Sequence, residues 1–235
     1  MRLLALAALL AATTAVSGCE RVSDAAFNKR VHAYLMAHPE VIEEAALKLE
    51  SDRAAKGHAD AKANLAKHRQ ALEHDTRDFV ANPNGKITVV EFFDYRCGYC
   101  KMAAPEIVKL IAANPDVRFV FKELPIFGGE SNRAAALALA VKDQGKYLDL
   151  YQSFFAAKAL DSAAMDAIVA SKGLNLGNIT AAASSDAIKT HLQDNHQLAN
   201  ALGVNGTPMF FVGDTVIEGA DLAGLNAAIA LARKA

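Results

Sequence analysis

Apolar and polar positions divide the chain into an alanine-rich first part and a second part in which strands alternate with helices. Residues 22–80 contain one proline and one glycine among many Ala, Glu, Lys and Leu residues, which favours helix. A first helix is predicted over 24–37, because Pro39 disfavours helical geometry in the residue before it. A second helix is predicted from Pro39 onward, with an apolar stripe too thin to form a core alone.

The second part follows a turn at 82–85 (Asn-Pro-Asn-Gly) and differs sharply in composition. Its first segment, KITVVEFFD at 86–94, is β-branched, aromatic and nearly continuous in apolar character, which is typical of a buried strand. A strand, a helix and a strand within about 40 residues indicate a βαβ unit, so the predicted fold class is α/β. The predicted elements are strand 86–94, helix 98–113, strand 117–124, helices from 131 to 201, strands 209–212 and 216–218, and helix 222–233.

The first residues have the pattern of an export signal. Arg2 precedes an uncharged run of apolar or small residues over 3–15, which is too short to span a bilayer comfortably. Small residues directly before Cys19 resemble a bacterial lipobox, although Val16 stands where that pattern prefers Leu. We therefore expect a lipoprotein-type signal peptide over 1–18, an exported chain in the periplasm or cell envelope, and lipid attachment at Cys19. The alternative is ordinary cleavage nearby, with Cys19 left as a free thiol.

Composition narrows the classes of function. The chain has 235 residues, of which 52% are hydrophobic, and a net charge of −1. Because a nucleic-acid-binding surface needs a basic excess, no nucleic-acid partner is expected. Five of the seven histidines precede residue 80, but no pair has the i,i+4 spacing of a helical metal site, so no metal ligand is expected. Three cysteines cannot all pair within one chain, so at least one needs a separate explanation.

The residues Cys97-Gly98-Tyr99-Cys100 stand where the first predicted strand passes into its helix. A cysteine at a helix N-terminus has its thiolate stabilised by unpaired N–H groups and the helix dipole, and its pKa can fall from about 8.5 to roughly 3.5–7.5. Cys97 is then the nucleophile for a substrate disulfide, and Cys100 resolves the mixed disulfide. The alternatives are a structural disulfide or half of a zinc site, which would need further ligands at the right spacing.

From 86 to 233 the chain resembles the DsbA-type branch of the thioredoxin superfamily, in particular along the strand that leads from Val90 to Cys97. The resemblance implies a thioredoxin fold with an inserted helical domain, preceded by an N-terminal helical arm. The corresponding segments are the signal peptide 1–18, the arm 19–80, and a domain over 81–235 with its helical insert at about 129–201.

Two further sites follow from this resemblance. Glu91, six residues before Cys97, matches the family's acidic residue beneath the active site, which would tune or relay the proton of Cys100. The alternative is a surface Glu at a strand end. Pro208 matches the family's cis proline, which would turn the backbone of Thr207 toward an extended substrate. Within the family, Thr207 and the Gly98-Tyr99 spacer are more typical of isomerases and reductases than of strong oxidases.

Two less specific resemblances concern the arm and the helical insert. The arm at 27–49 resembles the N-terminal segment of the copper-sensitivity suppressor C and Com1-like subgroup, whose members can self-associate through it. A homo-oligomer formed through the arm is therefore expected. The stretch at 124–131 resembles the family's entry into the helical insert, with Ser131 expected to cap the first inserted helix.

Together these features predict a lipid-anchored envelope thiol–disulfide oxidoreductase that exchanges disulfides with cysteines of exported proteins, with a preference for isomerase or reductase chemistry. No cofactor is expected besides the redox-active Cys97–Cys100 disulfide, and a membrane redox partner is expected. The alternative direction is a dithiol oxidase of the DsbA kind. An alternative of another class is a module that holds Cu(I) through the thiolates of Cys97 and Cys100.

Overall fold

The computed structural model describes residues 24–234, apart from the side chains of 54, 55 and 58. The predicted signal peptide over 1–18 and the predicted lipid-bearing Cys19 lie outside the described residues. The chain divides into two compact units, with the boundary after residue 58. Within residues 24–234, no helix combines the length and the apolar character that a membrane span requires.

The first unit contains helix α1 (Asp24–Ala37) and the start of helix α2 (Glu40–Glu73). The helix break predicted at Pro39 is present, and Glu40 and Glu43 occupy the first turn of α2, where the helix dipole favours negative charge. No residue of α1 is buried. The large apolar side chains exposed in this unit are Phe27, Val31, Tyr34, Met36, Ile42, Leu47 and Leu49.

The second unit contains the end of α2 and all remaining elements. These are β1 (Phe79–Ala81), β2 (Ile87–Phe93), α3 (Gly98–Ala113), β3 (Val117–Glu123), α4 (Gly129–Ala140), a 3-10 turn (Lys142–Gln144), α5 (Tyr147–Ala156), α6 (Ser162–Ser171), α7 (Leu176–Ala183), α8 (Asp186–Ala201), β4 (Met209–Val212), β5 (Thr215–Glu218) and α9 (Leu222–Ala232). The predicted order of strands and helices after residue 85 is therefore confirmed.

The five strands form one sheet in the order β1-β3-β2-β4-β5. The central pair, β2 and β3, is parallel and joined by α3, which is the predicted βαβ unit. All other pairs are antiparallel. The sequence pattern did not indicate strand β1, because three residues are too few to show an alternation.

Each face of the sheet carries its own hydrophobic cluster, since successive residues of a strand point to opposite faces. Val89 and Phe93 of β2 belong to the cluster on the side of α3, α5 and α9. Val90 and Phe92 belong to the cluster that contains Leu65, Leu72 and Leu198, from α2 and α8. The sheet is thus covered by helices on both sides, and the predicted α/β thioredoxin-like fold with inserted helices is confirmed.

A buried ion cluster lies on the face covered by α2 and α8. The Nζ atom of Lys122 lies 2.5 Å from the Asp78 carboxylate, and both side chains have no exposed surface. Lys122 also donates a hydrogen bond to the carbonyl oxygen of Ala71 at 2.6 Å. The Nε2 atom of His191 approaches the other oxygen of Asp78 to 3.0 Å. The ion pair with Lys122 offsets part of the loss of hydration that burial imposes on the Asp78 carboxylate.

Candidate active site

The two active-site cysteines lie at the start of α3. Cys97 is the N-cap residue, with extended backbone (φ −72°, ψ 122°), and its Sγ accepts a hydrogen bond from the backbone N–H of Cys100 at 3.4 Å. Both residues are unpaired thiols, with 5% of Cys97 and none of Cys100 exposed. Cys97 therefore keeps a small accessible fraction, whereas Cys100 lies behind it in the first helical turn with none.

The two thiols differ strongly in proton affinity. The hydrogen bond from the Cys100 side chain is the main cause that lowers the pKa of Cys97 to about 5, against the opposing effect of burial. The backbone N–H groups of Cys100 and Tyr99 contribute in the same direction. Burial, followed by the hydrogen bond to Cys97, raises the pKa of Cys100 far above its ordinary range. At neutral pH, Cys97 is therefore a thiolate and Cys100 a protonated thiol.

The loop before β4 faces the dithiol. The Thr207–Pro208 peptide bond is cis, as the family resemblance implies. In the thiol form, Sγ of Cys97 donates to the carbonyl oxygen of Thr207 at 3.1 Å. The loop thus places backbone atoms beside the sulfur of Cys97. Edge-strand pairing with an extended peptide uses backbone atoms of this kind.

Glu91 lies in the core rather than at the surface, since only 1% of it is exposed. The hydroxyl of Tyr151 donates to its carboxylate at 3.2 Å. Burial is the main cause that raises the pKa of Glu91 to about 8, and the charge of Cys97 adds to this effect, while the Tyr151 hydrogen bond opposes it. A carboxyl group with this pKa can accept and release a proton near neutral pH.

A second buried carboxyl group, which the sequence pattern did not indicate, lies at the end of β3. Glu123 accepts hydrogen bonds from the hydroxyls of Tyr147 at 2.6 Å and Tyr95 at 3.0 Å. Burial raises its pKa well above the ordinary value. Register pairs Phe93 with Glu123 and Glu91 with Phe121, which places both acids on the same face of the sheet. The spacing of Tyr147 and Tyr151, four residues apart on one helix, was the only sequence signal of this arrangement.

Asp94 connects the active-site turn (residues 94–97, between β2 and α3) to the entry of the helical insert. It is 1% exposed, and Ser131 Oγ donates to its carboxylate at 2.8 Å. Ser131 was expected to be the N-cap of the first inserted helix, and that expectation is wrong. The N-cap is Gly128, whose positive φ of 95° suits glycine, and Ser131 lies inside α4, where its hydroxyl is used by Asp94.

The spacer residues have different surroundings. Tyr99 is 64% exposed. A Cβ atom added to Gly98 would meet nothing within 4 Å, so space does not require glycine there.

Within residues 24–234, no group of three or more His, Cys, Asp or Glu side chains is arranged to hold a metal ion. The arrangement therefore offers a dithiol, a nearby carboxyl group and a half-buried backbone segment beside the reactive sulfur, which are the parts that thiol–disulfide exchange needs.

Two family models match the chain. The DSBA-like thioredoxin domain matches residues 88–229, and the N-terminal domain of the copper resistance protein ScsC matches residues 24–56. The second match confirms the resemblance of the arm to the copper-sensitivity suppressor C subgroup.

Individual relatives agree with these models. The thiol:disulfide interchange protein DsbA of Bordetella pertussis is 30% identical over 154 residues, which cover 63% of this chain and 73% of that protein. A thioredoxin-like oxidoreductase from Silicibacter pomeroyi is 36% identical with a TM-score of 0.68, covering 71% of this chain and 98% of that one. ScsC of Proteus mirabilis in a transitional conformation is 31% identical with a TM-score of 0.66, covering 89% of this chain and 98% of that one.

The described geometry and these matches lead to one conclusion. A low-pKa thiolate at a helix N-terminus, a buried partner thiol and a facing cis proline occur within the segment that the thioredoxin-domain model covers. The chain belongs to the DSBA-like thioredoxin domain family, and it is a thiol–disulfide oxidoreductase with the redox pair Cys97 and Cys100.

Proposed function

We propose that this oxidoreductase is exported to the periplasm or cell envelope and exchanges disulfides with cysteines of other exported proteins, mainly as an isomerase or reductase. The observation that carries the exchange reaction, whatever its direction, is the unequal pair of thiols beside the half-buried backbone of Thr207. Cys97 has a pKa of about 5 and lies 3.1 Å from the Thr207 carbonyl, whereas Cys100 has no exposed surface. A substrate can therefore reach only one of the two sulfurs.

In the proposed reaction, the thiolate of Cys97 attacks one sulfur of a substrate disulfide, and the second substrate sulfur leaves as a thiolate. Cys100 then loses its proton and attacks Cys97 in the mixed disulfide, which forms the Cys97–Cys100 disulfide and releases the first substrate thiol. Glu91 is the acceptor for that proton. The negative charge of Cys97 raises the pKa of Glu91. This cause disappears when Cys97 is in a mixed disulfide, so Glu91 is then ionised more readily.

The preference for isomerase or reductase chemistry rests on Thr207, on the Gly98-Tyr99 spacer and on the arm. Isomerisation benefits from a second active site on the same assembly. We propose that the arm supplies this by self-association. Its exposed apolar side chains, such as Phe27 (56% exposed) and Tyr34 (56%), and its match to the ScsC N-terminal domain support the proposal.

One observation favours the alternative, a dithiol oxidase. A Cys97 pKa of about 5 stabilises the reduced form at neutral pH, which makes the disulfide more oxidising. The direction of catalysis is therefore decided by the reduction potential. A value near about −120 mV characterises strong oxidases and one near about −180 mV characterises disulfide isomerases.

The location and the remaining partners are also proposals. The basic start and the apolar run of residues 1–18 support export, and the small residues before Cys19 support a lipid anchor. A membrane redox partner would reduce the Cys97–Cys100 disulfide, which returns the pair to the dithiol form that starts the proposed reaction. We propose 19–80 as the arm and 81–235 as the catalytic domain with its insert. The end of α2 and strand β1 belong to the second compact unit together with that domain.

The experiment measures the reduction potential of the Cys97–Cys100 pair together with refolding of a substrate that contains scrambled disulfides. A potential near −180 mV with recovery of the native substrate supports the proposal, and a potential near −120 mV without reshuffling supports the oxidase. Tight Cu(I) uptake without disulfide turnover would support the copper module instead. The Cys97→Ser variant is the control for each assay.

A further inference from the structure

A buried cluster of three tyrosines and two acids lies next to the dithiol, and only one of the acids has a role in the proposed exchange. Glu91 accepts a hydrogen bond from Tyr151, whereas Glu123 accepts from Tyr95 and Tyr147. Each of these five side chains is 3% exposed or less. Burying a second carboxyl group costs free energy, so its place beside the reacting residues calls for a reason.

Glu123 uses one oxygen for both of its tyrosines. Its Oε1 accepts from the Tyr147 hydroxyl at 2.6 Å and from the Tyr95 hydroxyl at 3.0 Å. Among the described residues, its buried Oε2 has no hydrogen-bond partner. Burial, and then the charges of Asp94 and Glu91, raise the pKa of Glu123 well above its ordinary value. The carboxyl group is therefore neutral at neutral pH, with its proton on Oε2 and with Oε1 free to accept from both hydroxyls.

The same carboxyl group joins three elements that surround Glu91. Glu123 is the last residue of β3. Tyr95 belongs to the active-site turn, two residues before Cys97, and Tyr147 is the first residue of α5. The two hydrogen bonds therefore fix the active-site turn and α5 to the same end of the sheet.

The position of α5 decides how Tyr151 reaches Glu91. Tyr151 lies four residues after Tyr147, so both side chains project from the same face of the helix. The Tyr151 ring also packs edge-on against the Tyr95 ring, with the centroids 6.1 Å apart. The hydroxyl of Tyr151 donates to Glu91 Oε2 at 3.2 Å, and this hydrogen bond lowers the pKa of Glu91 against the effect of burial. Groups that hold Tyr95 and Tyr147 thus control the donor that favours the ionised form of Glu91.

We propose that Glu123 is a positioning residue for the resolution step, because by binding two tyrosine hydroxyls it holds Tyr151 in place to donate to Glu91. The inference rests on the proposed function, since it concerns the acid that accepts the Cys100 proton. Only an ionised Glu91 can take that proton, after which the Cys100 thiolate attacks Cys97 and the substrate sulfur leaves as a thiolate. A well-placed Tyr151 therefore raises the fraction of the protein that can resolve a mixed disulfide near neutral pH.

The test measures resolution separately from the first attack. With excess peptide disulfide, one half of the peptide stays on Cys97 after the attack and is released on resolution. Acid quenching at set times, followed by chromatography, gives the amount of protein that carries one half, and its decay gives the rate of resolution. In the parent protein this rate should rise with pH as Glu91 ionises, with a midpoint at or below pH 8.

Glu123→Leu removes the acceptor for both hydroxyls. We expect the midpoint to move up by about half to one pH unit, so the rate at pH 7 should fall about threefold to tenfold. Glu123→Gln keeps an acceptor oxygen and should restore the parent's midpoint. Glu106→Leu makes the matched change at an exposed carboxyl group and should leave the profile unchanged. If Glu123→Leu does not fold, Tyr147→Phe removes only the 2.6 Å donor and should move the midpoint in the same direction.

A double variant distinguishes positioning from general damage to the core. Tyr151→Phe should raise the midpoint by a similar amount, and Glu123→Leu/Tyr151→Phe should raise it no further, because both changes remove the same hydrogen bond to Glu91. The pH dependence of Cys97 alkylation should keep its midpoint near 5 in Glu123→Leu, since the main cause of that low pKa is the Cys100 side chain.

The outcomes separate the two proposals. If the parent protein reduces no peptide disulfide, or if Glu91→Gln keeps the parent's pH profile, the proposed function or its proton acceptor is wrong. If Glu91→Gln abolishes the midpoint but Glu123→Leu keeps it, the proposed function stands and the positioning role of Glu123 is wrong. Shifts that add in the double variant would also overturn that role, because Glu123 would then not act through Tyr151.

Discussion

The sulfur of Cys97 lies 3.1 Å from the carbonyl oxygen of Thr207, although 110 residues separate them in the chain. Cys97 begins helix α3, and Thr207 precedes the short strand β4, which pairs with β2 in the sheet. The strand that leads into the active-site turn and the strand that follows the cis proline are therefore neighbours. Their pairing fixes the distance between the sulfur and the backbone segment proposed to bind substrate.

Substitution of each cysteine should have a different effect. Cys97→Ser removes the nucleophile, so peptide disulfide turnover should fall by more than about a hundredfold. Cys100→Ser leaves the nucleophile but prevents resolution, so covalent complexes with substrate proteins should accumulate. Non-reducing gel electrophoresis of cells that express each variant provides the measurement. Equal trapping by both variants would contradict the assigned order of attack.

The low pKa of Cys97 should depend on Cys100. The side-chain hydrogen bond from Cys100 is the largest cause that lowers the Cys97 pKa to about 5. Cys100→Ala should therefore raise the pKa of Cys97 by roughly one unit or more, as followed by thiolate absorbance in the ultraviolet. An unchanged titration in this variant would show that the Cys100 side chain does not stabilise the thiolate.

The same pKa predicts how the stability of the reduced protein varies with pH. Between about 5 and 9, the folded protein carries a thiolate at Cys97, whereas the unfolded chain carries a thiol. The unfolded state then binds more protons, so the free energy of unfolding of the reduced form should rise with pH across this window. The disulfide form lacks this group. The measurement is denaturant unfolding of both forms at pH 4 to 8. The free energy of unfolding of the reduced form, relative to that of the disulfide form, should decrease as the pH falls toward 5.

Glu91→Gln should stabilise the protein, with a gain that depends on pH. The folded protein holds the Glu91 proton up to a pKa of about 8, whereas an unfolded chain releases it near 4.5. The contribution of this acid to stability is therefore lost as the pH rises between these values. The gain should grow from nearly zero at pH 4 to about 4 kcal/mol at pH 8. Glu106→Gln, which changes an exposed carboxyl group on α3, is the control and should give no such trend.

Removing one charge of the buried ion cluster should lower the free energy of unfolding more than removing both charges. Lys122→Met leaves the carboxylate of Asp78 buried beside His191, so the free energy of unfolding should fall by about 3–5 kcal/mol. Lys122→Met/Asp78→Asn removes both charges and should recover part of that loss. Lys109→Met breaks an exposed pair with Glu106 and should change stability by less than about 1 kcal/mol. A small effect for Lys122→Met would mean that the cluster is hydrated.

The central βαβ unit and the position of the dithiol could be predicted because their signals are local. Helix α3 begins at Gly98 and ends at Ala113, as the sequence pattern indicates. The apolar run at 86–94 becomes β2, and its continuous character follows from burial on both faces of the sheet.

The supporting parts of the site could not be predicted, because they depend on side chains that meet only in the folded protein. Glu123 binds Tyr95 and Tyr147 across gaps of 28 and 24 residues. The wrong assignment of Ser131 as a helix cap has the same origin, since Asp94, 37 residues earlier, competes for its hydroxyl. A capping rule considers only neighbours in the sequence, and it fails where a buried acceptor is available.

The edge strands of the sheet have a consequence for the proposed exchange of disulfides with other proteins. β1 and β5, at the two edges, are only three and four residues long. Each offers few free N–H and C=O groups for pairing with a foreign strand. Unfolded chains can add a strand to an exposed sheet edge, which is a route to aggregation. The proposed protein substrates can therefore react at Cys97 while the sheet offers them little edge for pairing.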